Sequence, residues 1–203
     1  MRRAHGIHTL VLVAALMLGA CASEPVPELA YYSLPPVGAA AQRSNDPVFK
    51  VPISINAFLA DGVYNEQGVL YLSQQNRNLR AYHYQLWQDP PTRMLQRRLT
   101  DTLRAQRMSD LVADRLPSST EQIAVLGLLR RFDRVQLDDG WHALVQMELR
   151  VERGTAKTPL LVKNYQADVR AVDDTLQGSV SAFGSAVDQC YAEFARDLGK
   201  LGS

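Results

Sequence analysis

Trp141-His142-Ala143-Leu144-Val145-Gln146-Met147-Glu148-Leu149-Arg150-Val151-Glu152 is the stretch from which the fold of this chain can be read. Trp141, Ala143, Val145, Met147, Leu149 and Val151 fall on one face, and His142, Gln146, Glu148, Arg150 and Glu152 on the other, which is the period of a half-buried strand. Asp138-Asp139-Gly140 just before it is a hairpin turn signal, because Gly accepts the positive φ such turns require. Upstream, Ile123 to Phe132 begins apolar on both faces (Ile123, Val125 and Leu129 against Ala124, Leu126 and Leu128), which suits a central strand. Downstream, Arg153-Gly154-Thr155-Ala156-Lys157 turns the chain back into Leu160 to Val169. The second half therefore reads as a three-stranded antiparallel meander.

Beyond the meander, Asp173-Asp174-Thr175 supplies acids and a cap for a helix start. Leu176, Val180, Phe183, Val187, Cys190 or Tyr191, Phe194, Leu198 and Leu201 then recur every three or four residues, and this stripe should pack a long final helix on the sheet. Towards the amino terminus, Val51, Ile53, Ile55 and Ala57 alternate with Pro52, Ser54 and Asn56, and Pro52 places that strand's start or one side at an edge. Val69 to Ser73 and Ala81 to Trp87 are two further strands, and Tyr31-Tyr32-Ser33-Leu34 is a short one halted by Pro35-Pro36. Pro90-Pro91 opens a middle helix, since the first turn has no intrahelical use for the missing N–H. Leu95, Leu99 and Leu103 form its apolar stripe, and Arg97, Arg98, Arg104 and Arg107 are assigned to its surface. The expected fold is α+β: a largely antiparallel sheet, with one middle helix and a long C-terminal helix packed on it.

The chain has 203 residues, 46% of them hydrophobic and 21% charged, which excludes a disordered or collagen-like polymer. With 22 basic and 21 acidic residues it carries no broad field for DNA or RNA, and no nucleic-acid motif is present. Two cysteines, Cys21 and Cys190, cannot build a disulfide framework.

The amino terminus is the most specific part. Arg2 and Arg3 precede the apolar run Leu10 to Leu18, the layout of an export signal and too short for a span of roughly 20 apolar residues. Leu18-Gly19-Ala20-Cys21 resembles the bacterial lipobox, an aliphatic residue and two small ones before a cysteine. By that resemblance the Cys21 thiolate takes a diacylglycerol, residues 1–20 are removed, and the freed α-amine is acylated. At about 0.8 kcal/mol per buried methylene, three chains make a permanent anchor. The competing expectation is an A-x-A cleavage at Ala20-Cys21-Ala22 that would release a soluble protein. Ala22 and Ser23 follow the cysteine, and the lack of Asp there suggests, by resemblance to sorting in enteric bacteria, delivery to the outer membrane. Without residues 1–20 the balance is 20 basic and 21 acidic residues over 183 positions, essentially neutral. Residues 21–30 hold the lipidated Cys and a tether with two prolines, and nine tether residues reach at most about 30 Å. Residues 31–203 are then one periplasm-facing domain.

No catalytic or metal constellation emerges. Gly178-Ser179-Val180-Ser181-Ala182 falls inside the final helix, where a nucleophile elbow cannot form, and its small residues fit close helix packing. His83 and His142 lie on separate strands, without H-x-x-x-H or C-x-x-C spacing, and read as surface or groove histidines. Asp138-Asp139 beside Gly140 is more economically a turn than an acid–base pair. Gly199-Lys200 lacks the rest of a P-loop. The basic set Arg97, Arg98, Arg104, Arg107, Arg130, Arg131 and Arg134 is either a solvated surface or a contact for headgroups or an acidic partner. Tyr71, Tyr82, Tyr84 and Trp87 are either ordinary cross-strand packing or a partner-binding groove for peptide or lipid.

Taken together, the lipobox ending at Cys21, Tyr31-Tyr32-Ser33-Leu34-Pro35, Val51-Pro52-Ile53-Ser54-Ile55, Gly68-Val69-Leu70-Tyr71-Leu72, Tyr84-Gln85-Leu86-Trp87 with Pro90-Pro91, and the long final helix resemble the ABC-type transport auxiliary lipoproteins of the PqiC (YmbA) type. The resemblance covers nearly the whole chain as order and spacing. It implies a non-catalytic outer-membrane partner of a phospholipid transport system, in which an inner-membrane complex and an MCE protein cross the periplasm and the lipoprotein docks the far end. It implies no cofactor beyond the acyl chains on Cys21 and no ATP site. Self-assembly into a homo-oligomeric ring around the conduit stays open, as no symmetric feature demands it. The competing reading is an assembly or structural lipoprotein of another envelope machine, such as lipopolysaccharide export or secretion; an envelope hydrolase is the third and least supported.

Overall fold

The computed structural model describes residues 27–37, 46–74, 76–117, 121–154 and 158–202. Cys21 and the lipobox residues Leu18, Gly19 and Ala20 therefore lie outside the described residues, as do parts of the loop after Pro36 and of the turn at 155–157. In chain order the elements are β1 (Ala30–Tyr32), β2 (Ile53–Ile55), β3 (Leu59–Ala60), a 3-10 turn (Gly62–Asn65), β4 (Gly68–Ser73), β5 (Asn76–Trp87), helix α1 (Pro91–Ala105), β6 (Val112–Ala113), β7 (Ile123–Leu137), β8 (Gly140–Arg153), β9 (Leu161–Arg170) and helix α2 (Leu176–Gly202).

The meander stands at the centre. β7 pairs antiparallel with β8 from Ile123↔Arg153 to Leu137↔Gly140, and β8 pairs antiparallel with β9 from Val151↔Leu161 to His142↔Arg170. Gly140 at the hairpin has φ +127°, a conformation L side chains rarely adopt. Along its other side β7 receives β2, β3 and β4 one after another, all parallel. β6 extends β2, while β5 and then β1 extend β4. The sheet of nine strands is thus mixed. Its long ladders are antiparallel, as expected, whereas the short pairings β1/β5, β2/β6, β2/β7, β3/β7 and β4/β7 are parallel, which the sequence reading did not include. The reason is connectivity: the early strands reach β7 across α1 rather than through hairpins, and a crossover delivers parallel neighbours.

A register shift between Leu129 and Arg131 exchanges the two faces of β7. Before it Ile123, Val125 and Leu129 point inward, and after it Phe132 and Arg134 share the inner face with Val145 and Ala143. The helices occupy that inner face. Phe183 of α2 rests on Trp87 and Phe132, with ring centroids 5.3 and 4.5 Å away, and Phe194 meets Tyr165 of β9 at 5.7 Å. Lys163 of β9 donates to Glu193 and Asp197, both at 2.8 Å, and the Tyr165 hydroxyl donates to Asp197 at 3.2 Å. Hydrogen bonds from Lys163, then from Lys200 and Tyr165, hold the Asp197 carboxyl well below its usual range. Thr175 caps α2 by accepting the Gly178 N–H at 3.0 Å. The apolar stripe from Val180 to Leu198 is buried as its spacing requires, whereas Leu201 is 39% exposed. Between the helices, the Tyr191 hydroxyl donates to the Leu95 carbonyl at 2.8 Å.

Candidate functional site

The four aromatic residues singled out from the sequence separate into two places. Tyr71 of β4 and Tyr82 of β5 stack with centroids 4.4 Å apart, and with the exposed Tyr84, Arg80 and His83 they line a shallow groove of about 570 Å³. Trp87 does not line it. At 1% exposure it is a core residue, packed against Phe132 at 5.2 Å and facing α2, so its place in the candidate groove is corrected. The cause is a break in strand regularity: the register of β5 on β4 shifts between Leu70↔Ala81 and Gly68↔Leu86, so the alternation that groups Tyr82 with Tyr84 does not carry through to Trp87.

The structure adds two residues to the stack that sequence reading did not include there. Trp141 meets Tyr71 edge-on at 6.5 Å, and the Arg134 guanidinium lies 3.7 Å from the Trp141 ring centroid. Arg134 also donates to the Tyr82 hydroxyl at 2.9 Å and to the Asp174 carbonyl at 3.1 Å. Only 3% exposed, it is held mainly by neutral partners, and burial lowers its pKa against the opposing pull of Tyr82 and Asp174. Arg134 thereby locks the floor of the groove to the start of α2. Its place could have been found only by anticipating the register shift that turns it inward.

The basic set divides in the same way. Arg98 is 6% exposed and pairs with Asp188 of α2, so its assignment to the surface is corrected. Arg131 donates to the fully buried Asp133, which also accepts from the Tyr64 hydroxyl at 3.3 Å. Arg130 bridges Glu148 and Asp61 at 2.7 and 3.2 Å. The outer side of α1 instead presents Arg93, Arg97 and Arg104, which together with Arg115 rim an open cleft of about 1150 Å³ between the helix and the segment from Ser54 to Phe58. Arg93 and Arg97 share Asp89 at 3.5 and 2.7 Å, and Arg104 donates through Nε to the Val112 carbonyl at 2.8 Å. Solvent screens such pairs, leaving the arginines free to exchange partners.

The remaining candidates have structural placements. Ser179 is fully buried within α2 and donates to the Thr175 carbonyl at 3.2 Å, which keeps its hydroxyl from any substrate. His142 sits between Asp168 and Asp139, at 2.6 and 3.0 Å from its two ring nitrogens, while His83 is exposed on β5. Cys190 is buried, and desolvation pushes its thiol up to about 12. Among the described residues no group of three His, Cys, Asp or Glu side chains could hold a metal ion.

No curated protein matches the chain. Among solved structures, protein XCC0632 from Xanthomonas campestris is 14% identical, with a TM-score of 0.71, over 85% of this chain and 98% of its own. An uncharacterised protein is 16% identical, with a TM-score of 0.68, over 85% of this chain and 99% of its own. The hypothetical protein CT253 from Chlamydia trachomatis is 8% identical, with a TM-score of 0.51, over 76% of this chain and 98% of its own. These likenesses show a shared fold. The sequence model of the ABC-type transport auxiliary lipoprotein component matches residues 32–195, nearly all of the folded domain. That match spans more than half of the sequence, and the chain belongs to the family of ABC-type transport auxiliary lipoprotein components.

Proposed function

We propose that this protein is an outer-membrane lipoprotein, anchored through acyl chains on Cys21 and facing the periplasm, that docks the MCE conduit of a Pqi-like phospholipid transport system. The carrying observation is the family match over residues 32–195. The residues supply a physical logic for it: a lipobox cysteine, a short tether and a domain whose polar side chains are spent on structure hold a surface at the membrane. The role is non-catalytic, and the energy for transport comes from the partners.

Photocrosslinking in the cell from Arg80 and Tyr84, exposed positions of the aromatic groove, tests this reading. The expected result is capture of an MCE-domain protein, weakened in Cys21→Ser, whose product leaves the membrane fraction. Capture of a lipopolysaccharide-export or secretion component would replace the reading with the competing one. Retention of Cys21→Ser in the membrane would overturn the anchor.

A further inference from the structure

β1 fixes the direction from which the tether arrives. It pairs parallel with β5, and β5 starts at Asn76 beside the β4/β5 turn, so the chain before Ala30 comes from the side of that turn. The β7/β8 hairpin lies at the same end of the sheet, because β4 and β7 are parallel, and Gln74 of one turn donates to Asp138 of the other. The Ala171 N–H donates to the Trp141 carbonyl at 2.7 Å, which adds the segment between β9 and α2 to this end. Leu86 gives the level of β1, since it pairs with Tyr31 on one side and Gly68 on the other. From Gly68 to the last pair, Ser73↔Asn76, is five strand steps, about 17 Å, well within the reach of about 30 Å that nine tether residues have. The opposite end lies roughly 25 Å the other way, since Asp133, the partner of Leu70, is ten residues beyond Ile123, and the tether would have to reverse at Ala30 to serve it.

The near end is apolar where it projects. Val172 is 87% exposed and Leu137 40%, and Leu29 and Tyr31 are exposed where the tether joins the sheet. Behind this tip sits the stack of Tyr71, Tyr82 and Trp141. Tyrosine and tryptophan, apolar rings with a polar handle, favour a membrane–water boundary. The acids at this end are engaged within the protein: Asp138 by Gln74, Asp139 by His142 and Asp173 by the Thr175 N–H. A tip carrying such acids suits neutral headgroups better than anionic ones. We infer, on the Cys21 anchor proposed above, that this end of the sheet rests on a zwitterionic phospholipid surface, with Val172 and Leu137 entering the headgroup layer. The aromatic groove then opens beside the lipid. The far end faces the periplasm, with Leu201 at the close of α2, beyond the Lys163–Asp197 contact with the start of β9.

The test uses the lipidated full-length protein in phosphatidylcholine vesicles that contain a spin-labelled phosphatidylcholine. An environment-sensitive dye is placed on Val172→Cys, Leu137→Cys or Leu201→Cys, all at exposed positions, while an acylated Cys21 and the buried Cys190 offer no competing thiol. The expected result is a blue shift and a loss of emission at Val172→Cys and Leu137→Cys, and neither at Leu201→Cys. With the dye on Leu137→Cys, adding Val172→Asp should reduce the quenching. Unquenched tip labels overturn the inference, as does equal quenching at Leu201→Cys, and quenching unmoved by Val172→Asp means that the dye itself seeks the lipid and overturns the contact. Flotation of the same samples separates this inference from the anchor. Protein that floats with an unquenched tip keeps the anchor and loses the seating, whereas protein that does not float loses the anchor and the seating with it.

Discussion

Arg98 of α1 and Asp188 of α2 form a bidentate ion pair, with Nε and Nη2 each donating to a carboxylate oxygen at 2.8 and 2.7 Å. The arginine side chain is 6% exposed and the aspartate 41% exposed, so the two ends sit in different dielectric surroundings. Nη1 of the same guanidinium donates to the Pro35 carbonyl, and the Pro35 ring abuts Gly184, which joins the segment after the tether to both helices.

That asymmetry sets unequal costs. Asp188→Ala strands a buried cation and should destabilise the domain by about 3 kcal/mol, whereas Arg98→Met leaves a half-solvated carboxylate and should cost about 1–2 kcal/mol. Urea unfolding of the two variants measures the difference, and equal costs or the reverse order would sink the account.

Gly127 lies beneath Phe58, whose ring atoms would stand 2.6 Å from a Cβ at that position. Replacing a strand glycine usually helps by lowering chain entropy, yet here Gly127→Ala must displace a ring that is 5% exposed. The expected cost is about 1–3 kcal/mol by overpacking. Phe58→Leu should relieve part of it, so a double-mutant cycle should return a coupling of roughly 0.5 kcal/mol or more. Additive effects would mean that the two residues do not oppose each other.

The meander, the final helix and the Pro-opened middle helix were legible because their signals are local: a period of two, a period near three and a half, a turn glycine, a first-turn proline. The parallel partners of β7 were not, since nothing within Ile53–Ile55 or Gly68–Ser73 encodes which distant strand it meets. The candidate site was read in fragments for the same reason. Tyr82 and Tyr84 share a face by alternation, but Trp87 and Arg134 lie beyond register shifts, one in the β4/β5 ladder and one between Leu129 and Arg131, that alternation does not reveal. The α1 cleft was visible only as surplus arginine, because its far wall comes from residues some forty positions upstream.

Cys190 gives a readout of opening. Its thiol is 1% exposed and desolvation pushes it up to about 12, so in the native state it is both inaccessible and protonated. In a Cys21→Ser background, maleimide labelling at neutral pH should be negligible in buffer and should follow the urea unfolding curve. Rapid labelling without denaturant would mean that α2 opens locally from β8 and β9.

His142 makes the domain sensitive to pH through a contact between the hairpin tip and β9. Burial works against a charged ring, but hydrogen bonds to Asp168 and Asp139 outweigh it and raise the pKa above 6.5. The geometry agrees: both ring nitrogens face carboxylate oxygens, at 2.6 and 3.0 Å, and only the imidazolium has two N–H groups to donate. Arg170 approaches the Asp139 carboxylate at 3.7 Å from the same side, and Asp139 is held below its ordinary range chiefly by His142. The native state therefore keeps a proton that the unfolded chain releases near pH 6.5, and stability from this group is full below that pH and falls as pH rises through the raised value. Thermal midpoints across pH 5–9 should decline on the alkaline side of about 6.5 in the unaltered protein and in His83→Gln, and lose that decline in His142→Gln. A decline of the same size in His142→Gln would place the titrating group elsewhere.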